Sequence, residues 1–429
     1  MRVNPTLLIL LLIILLGCNT ENEYKTQFTS LKAEETNLFF QNNLTEAKNT
    51  NVLLYEYFYN GGGLALADFN GDEKLDIYIS SNMEENKMYL NKGDFVFEDI
   101  TVTAKTSGRK GPWKTGVTAV DINSDGRMDI YVCYSGKIKE NGRKNQLFLN
   151  MGNNENGIPI FTEVARLYGL DSSAYSNQGY FFDYDRDGDL DMLLLNHNPN
   201  SLPVLGVSKT KTLLKKDEPM MGLRLYEQRD RYFHDITPNT KINGSSLSYG
   251  LGIALSDFNN DGWIDFYVSN DYTIPDYLYI NDKQGDFKNT LSESILHTSH
   301  FSMGNDSGDI NNDGLIDLLT LDMLPEDNKR QKLLQAPDNY NLFDLNLKSG
   351  FHYQYMRNML QLNNGDGTFS EVGQQMKISN TDWSWSALFA DFNNDSWQDL
   401  FVSNGYKRDY TNRDFLSYME NFIGEKKSN

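Results

Sequence analysis

Six stretches of this chain place aspartate at positions one, five and nine, with aspartate or asparagine at position three. They are Asp68, Asn70, Asp72 and Asp76; Asp121, Asn123, Asp125 and Asp129; Asp183, Asp185, Asp187 and Asp191; Asp257, Asn259, Asp261 and Asp265; Asp309, Asn311, Asp313 and Asp317; and Asp391, Asn393, Asp395 and Asp399. Oxygen ligands at alternating positions around a sharp turn are how a hard cation such as Ca²⁺ is wrapped, so these residues are candidate Ca²⁺ ligands. Gly126, Gly188, Gly262 and Gly314 stand at the sixth position of four loops, where the turn is sharpest, whereas Glu73 and Ser396 take that place in the first and last. A side chain held in the left-handed region costs on the order of 1 kcal/mol, so the first and last loops are expected to bind more weakly. The third, with four carboxylates, is expected to bind most tightly. Such ions are expected to staple strands together; they are poor Lewis acids for catalysis, because the loop supplies most of the coordination itself.

The elements that position these loops follow from what comes after them. An EF-hand carries a bidentate Glu at position twelve, but here that position holds Ile79, Val132, Leu194, Val268, Thr320 and Val402, which suit a strand. The first aspartates are spaced by 53, 62, 74, 52 and 82 residues. A unit of that size holds about four strands, the blade of a β-propeller. The fourth repeat reads as strands over 250–256, 264–269, 277–281 and 287–291, with the acidic loop between the first two. Tyr89-Leu-Asn91, Phe148-Leu-Asn150 and Leu360-Gln-Leu-Asn363 end third strands elsewhere, and Asn364-Gly-Asp-Gly367 is a hairpin turn.

Strand alternation puts the acidic loops on one face and the crossovers between blades on the other. The second face also carries the two long insertions, 196–221, with Lys209, Lys211, Lys215 and Lys216, and 322–356. An aromatic recurs eight residues before each loop, at Trp113, Tyr175, Tyr249, Phe301 and Trp383, with Tyr59 nine before the first. Five residues before it stand Gly63, Gly116, Gly252, Gly304 and Ser386, with Gln178 the exception. Small residues let blades crowd the axis, and the aromatics then form either blade-to-blade packing or a stacking rim for a ligand. Lys114, His297 and His300 join that list of ligand-face candidates. Serine-nucleophile motifs, phosphate-binding glycine loops and zinc spacings are not recognisable.

With these residues in hand, the stretch Tyr55 to Tyr410 resembles the FG-GAP/VCBS repeat family, the calcium-loop propellers that include the integrin α-subunit head and cartilage acidic protein. Segments such as Tyr57-Phe-Tyr-Asn-Gly-Gly-Gly63, His297-Thr-Ser-His-Phe-Ser-Met-Gly304 and Asp382-Trp-Ser-Trp385 look most like the N-terminal propeller of Bacteroidota surface lipoproteins related to ASPIC/UnbV-type proteins. The resemblance implies fold and location more than chemistry.

Arg2, an apolar run from Leu7 to Leu16, and Leu15-Leu-Gly-Cys18 read as a lipoprotein signal peptide over 1–17 with Cys18 as the lipidated residue. The run is too short to span a bilayer, which takes ~20 residues. Residues 18–27 then form an acidic tether, 28–405 the propeller and 406–429 a helical tail, in which Phe415, Tyr418, Met419, Phe422 and Ile423 recur at helical spacing. The sixth repeat lacks evident third and fourth strands, which Phe28 to Asn42 could supply. Cys133 reads as a buried apolar residue. The net charge of -20 disfavours nucleic acid, and six divalent ions would offset about 12 of those charges. The expected molecule is an all-β calcium-loop propeller of six blades, with seven left open, and a short C-terminal helix. It is expected to be anchored by lipid to the outer membrane, facing the outside or the periplasm, as a binding or scaffold module for a glycan or a surface protein. A lyase-like polysaccharide-degrading enzyme and a structural partner of an outer-membrane transporter are the alternatives.

Overall fold

The first acidic loop joins Leu64–Ala67 to Asp76–Ile79, and the pairing of Ala67 with Asp76 closes the hairpin at the loop's own ends. Each repeat does the same, so every loop's ninth residue is also the first residue of a strand. The computed structural model describes residues 28–335, 339–409 and 411–419. In it five four-stranded antiparallel sheets follow one another, each meandering in chain order from inner to outer strand. The fourth blade is representative: Gly250–Ser256, Asp265–Asn270, Tyr277–Asn281 and Phe287–Asn289. These strands lie within two residues of the spans read from sequence. Among the described residues the sixth blade is a hairpin alone, Ser384–Ala390 paired with Asp399–Asn404.

Successive inner strands lie against one another from the first blade to the sixth, which is the arrangement of a propeller. Small residues make this approach possible. A Cβ on Gly116 would meet the side-chain oxygen of Gln178 at 1.7 Å, and one on Gly304 would meet the carbonyl oxygen of Trp385 at 2.4 Å. The Gly63 N–H donates to the Thr115 carbonyl and that of Gly304 to Trp385, both at 2.9 Å, so backbone bonds cross between blades as well. Apolar side chains alternate along the strands and pack blade on blade: Leu193, Leu195, Ile253, Phe266 and Val268 form one such core. Cys133 is buried in another, between the second and third blades.

The second face is capped. Tyr55, Tyr57, Phe58 and Tyr59 from the N-terminal segment, Leu202, Leu205 and Leu213 from the first insertion, and Phe351 from the second form one apolar cluster over it. Helices Val207–Leu214 and Tyr340–Ser349 of the two insertions pack together there.

One expectation changes. Residues 28–42 supply no strands to the sixth blade; they hold the short helix Ala33–Thr36 and otherwise run as irregular chain. This segment still spans the gap, because Phe28 packs edge-on against Phe392 of the sixth loop, at 5.6 Å, and the Asn42 amide donates to Asn82 of the first blade. A helix over 413–419 follows the last strand. No helix among the described residues is long and apolar enough to cross a membrane. Cys18 and the rest of the signal-peptide reading lie outside the described residues.

Candidate metal centres and ligand face

Each acidic loop is a turn with two left-handed residues. Position six has φ near 83° at Gly126 and 86° at Gly262, and Glu73 and Ser396 take the same conformation at 67° and 72°. Position four is left-handed too, at Gly71, Ser124, Arg186, Asn260, Asn312 and Asn394, a requirement the sequence pattern did not disclose. The turn aims backbone N–H groups at the first aspartate. Asp121 accepts from the amides of Asp125 and Gly126 at 3.0 and 2.8 Å, and Asp257, Asp309 and Asp391 repeat this.

The ninth aspartate does a different job. One oxygen accepts from the amide of the loop's second residue and the other from the amide that ends the third strand. For Asp265 these donors are Phe258 and Asn281, at 3.0 and 2.8 Å. Asp76, Asp129, Asp191 and Asp317 are held identically. Burial pushes these carboxyls up, to about 6 in Asp76 and Asp129, about 7 in Asp265 and about 8 in Asp191. The ninth position is therefore a strand-to-strand tie with or without an ion.

The asparagines that close the third strands were visible in the sequence as a repeated Leu-Asn or Ile-Asn ending, but their role was not. The amides of Asn150, Asn281 and Asn363 reach back to the carbonyls of Phe69, Tyr184 and Phe258, each in the acidic loop of the preceding blade, at 2.8 to 2.9 Å. The first, third and fourth loops are thus tied both within their own blade and to the next.

The third loop stands apart. In four others the position-three asparagine donates its amide to the position-five aspartate, as from Asn123 to Asp125 at 3.0 Å. In the first loop Lys74 pairs with Asp72 at 3.1 Å. Asp185 has no amide to donate in that place, and oxygens of Asp183, Asp185 and Asp187 converge within 4.8 Å of one another. One Asp183 oxygen is buried and accepts no hydrogen bond. Among the described residues this is the one such grouping of three acidic, histidine or cysteine ligands. An oxygen-only donor set with an orphaned buried carboxylate oxygen fits a hard divalent cation.

The aromatic positions on the second face are packing residues, which overturns the stacking rim. Trp113, Tyr249 and Trp383 are 3%, 1% and 7% exposed, and Tyr59 is buried as well. Trp113 lies against Tyr55 and Phe58, and Trp383 stacks on Tyr406 at 4.1 Å. Tyr175 is half-buried with the Arg143 guanidinium 4.2 Å over its ring, and Phe301 lies beside His300. The cap made by the N-terminal segment and the insertions covers what would have been the rim. Lys114 is also buried; its ammonium donates to the carbonyls of Glu84 and Gly111 at 2.5 and 2.9 Å, and burial lowers its pKa to about 8. His297 sits 3.1 Å from the Arg357 guanidinium and 3.6 Å from Glu371, in a packed polar group.

With the geometry described, similarity to known proteins can be placed on it. The FG-GAP-like repeat model matches residues 68–132, 257–320 and 351–402, each running from an acidic loop or the strands before it into the following blade's loop hairpin. Cartilage acidic protein 1 of Xenopus tropicalis is 29% identical over 56% of this chain and 33% of its own length, and that of Homo sapiens 30% identical over 34% and 22%. The chain thus spans about a third or less of the length of the curated relatives it matches. Among solved structures, an Agrocybe aegerita lectin that recognises non-reducing terminal N-acetylglucosamine is 15% identical, over 79% of this chain and 73% of the lectin, with a TM-score of 0.45. The V. cholerae biofilm matrix protein Bap1 is 12% identical over 72% and 38%, with a TM-score of 0.34. Repeats of the matched kind recur in register with the blades, so the chain carries FG-GAP-like repeats.

Proposed function

We propose that this propeller is a calcium-stabilised binding or scaffold module for a glycan or protein ligand, held at the outer membrane through a lipid on Cys18. The observation that carries the calcium part is the third loop, where three carboxylates face one another with no side-chain donor among them. Asp183, Asp185 and Asp187 would hold the ion there, and the ion would supply the positive charge that lets them converge. In the other loops, asparagine or lysine already offsets part of that repulsion, which makes them the weaker sites. The lipid anchor rests on Leu15-Leu-Gly-Cys18 and the short apolar run before it. The binding role is supported by the division of the faces: the second is covered by the protein's own insertions, while the acidic-loop face presents its turns to solvent.

Thermal melts with calcium and with excess EGTA test the first part, because an ion bound only by the native state stabilises it by mass action. A large fall in Tm on chelation is expected, and an unchanged melt overturns it. Cys18→Ser should abolish fatty-acid labelling and release the protein from membranes; labelled, membrane-bound mutant protein would overturn the anchor. A glycan array, a surface-protein pull-down and a uronic-acid lyase assay run side by side separate binding from catalysis, and turnover in the last would overturn the binding-module reading.

A further inference from the structure

Between the third and fourth blades, on the acidic-loop face, lies a groove of ≈410 Å³ that no repeat motif announces. Its floor and walls include Tyr184 and Asp185 of the third loop, Glu227 and Arg229 of the third blade's outer hairpin, and Trp263 and Lys283 of the fourth blade. Asn239, Thr240 and Gln284 complete a lining of amide and hydroxyl groups. From this arrangement we infer that the groove is a binding site for a neutral glycan, and that the cation held by the third loop sets its shape. The inference deepens the binding role proposed above and rests on it.

The chemistry of the lining selects the ligand class. An aromatic ring beside planar, hydrogen-bonding side chains is what a sugar needs, since its C–H face packs on the ring while its hydroxyls both donate and accept. The ionic groups of the lining cancel: Asp185 and Glu227 stand against Arg229 and Lys283. They are also already paired, Arg229 with Glu227 at 2.5 to 2.6 Å and Lys283 with Asp261 at 3.2 Å. With both cations of the lining already engaged on a chain of net charge -20, a polyanion is disfavoured, whereas a hydroxyl can still share the lone pairs and N–H groups that remain.

The link to the cation runs through Arg186. This residue is flanked by Asp185 and Asp187, has φ of 64°, and lays its guanidinium over the Trp263 ring at 4.6 Å. Gly262, just before Trp263, leaves room for it; a Cβ there would come within 3.1 Å of the guanidinium. Asp185 both belongs to the convergent carboxylates and lines the groove. When the three carboxylates are drawn together, Arg186 and hence Trp263 are held; when they repel, both are freed. Trp397 occupies the equivalent position of the sixth loop but is 54% exposed, which makes it an internal control.

The test is an array of neutral and uronic-acid oligosaccharides probed with the wild-type lipid-free chain, followed by titration of the best neutral hit by calorimetry. Expected are binding to neutral glycans, a loss of tenfold or more in Trp263→Ala, partial recovery in Trp263→Phe, and wild-type binding in Trp397→Ala. Asp185→Asn or excess EGTA should weaken binding at least tenfold at a temperature where circular dichroism still reports a folded chain. Wild-type affinity in Trp263→Ala would overturn the groove while leaving a binding module standing. Preference for uronic-acid oligosaccharides would overturn the neutral class, and binding indifferent to EGTA the coupling. A wild-type chain that binds no array member but retrieves a protein would overturn the glycan reading alone; one that binds neither overturns the parent proposal too.

Discussion

The seam between the third and fourth blades and the seam between the sixth and the first are built from equivalent repeat residues and end in opposite states. At the former, Ile253 is 6% exposed against fully buried Leu193 and Leu195, and Tyr267 on the fourth blade's other face, packed toward the fifth blade, is 2% exposed. At the latter, Leu64 stands where Ile253 does and is 57% exposed, and Phe401 stands where Tyr267 does and is 53% exposed. Leu66 and Leu388 on the two lips are also exposed. The repeat provides an apolar face on each side of every blade, but only a complete neighbouring sheet buries it. The difference is one of partners, not of residues.

Substitution should expose this contrast. Leu193→Ala is expected to cost about 2–5 kcal/mol in denaturant melts, because it leaves a cavity between packed sheets, while Phe401→Ala should stay within about 1 kcal/mol. Equal losses would mean that the open seam is covered in solution. Trp113→Ala extends the comparison to the capped face and should cost about 3–5 kcal/mol if the cap seen here persists. A smaller effect comes from the ties between blades. Asn281→Ala removes the donor to Tyr184 and Ile264 carbonyls and should cost about 1–3 kcal/mol; Asn91→Ala should cost less, since its exposed amide reaches only Leu75 of its own blade.

The capped face should also show a pH signature that the open seam lacks. Burial pushes Asp271 up to about 8, Asp276 to about 7 and Asp322 to about 6. An unfolded aspartate titrates near 3.9, so the folded state holds protons that the unfolded chain has released. Stability from these groups is present at low pH and declines as pH rises through about 6 to 8. Urea midpoints measured in saturating calcium should fall between pH 5.5 and 8.5, and Asp271→Asn should flatten that slope; an unchanged slope would remove Asp271 as a source. The smallest effect expected is at the sixth loop. Ser396 has φ of 72°, so Ser396→Gly should be neutral or stabilising, by up to about 1 kcal/mol, and a clear destabilisation would contradict the backbone argument.

Much was legible because it is local. Alternating oxygen ligands with a glycine at the turn, strand-forming residues directly after, and hairpin signals at fixed offsets made the acidic loops and the fourth blade readable nearly to the residue. Chain-local geometry forces these features whatever surrounds them. The pairing of the ninth aspartate with the third strand was not legible, because its partners lie 7 and 15 to 46 residues away. Nor was the fate of the aromatics before each loop, since a ring at a blade's entrance reads the same whether solvent or another segment covers it. Trp113 became core only when the N-terminal segment folded over that face, and Trp383 when Tyr406, beyond the last strand, stacked on it. The sequence by itself determined the repeat, its turn chemistry and the apolar faces of each blade, all set by residue type and spacing. Only the tertiary structure decided which faces are buried, which loop gathers its carboxylates without a donor, and where two blades leave a groove, because burial and convergence depend on neighbours that are far apart in the chain.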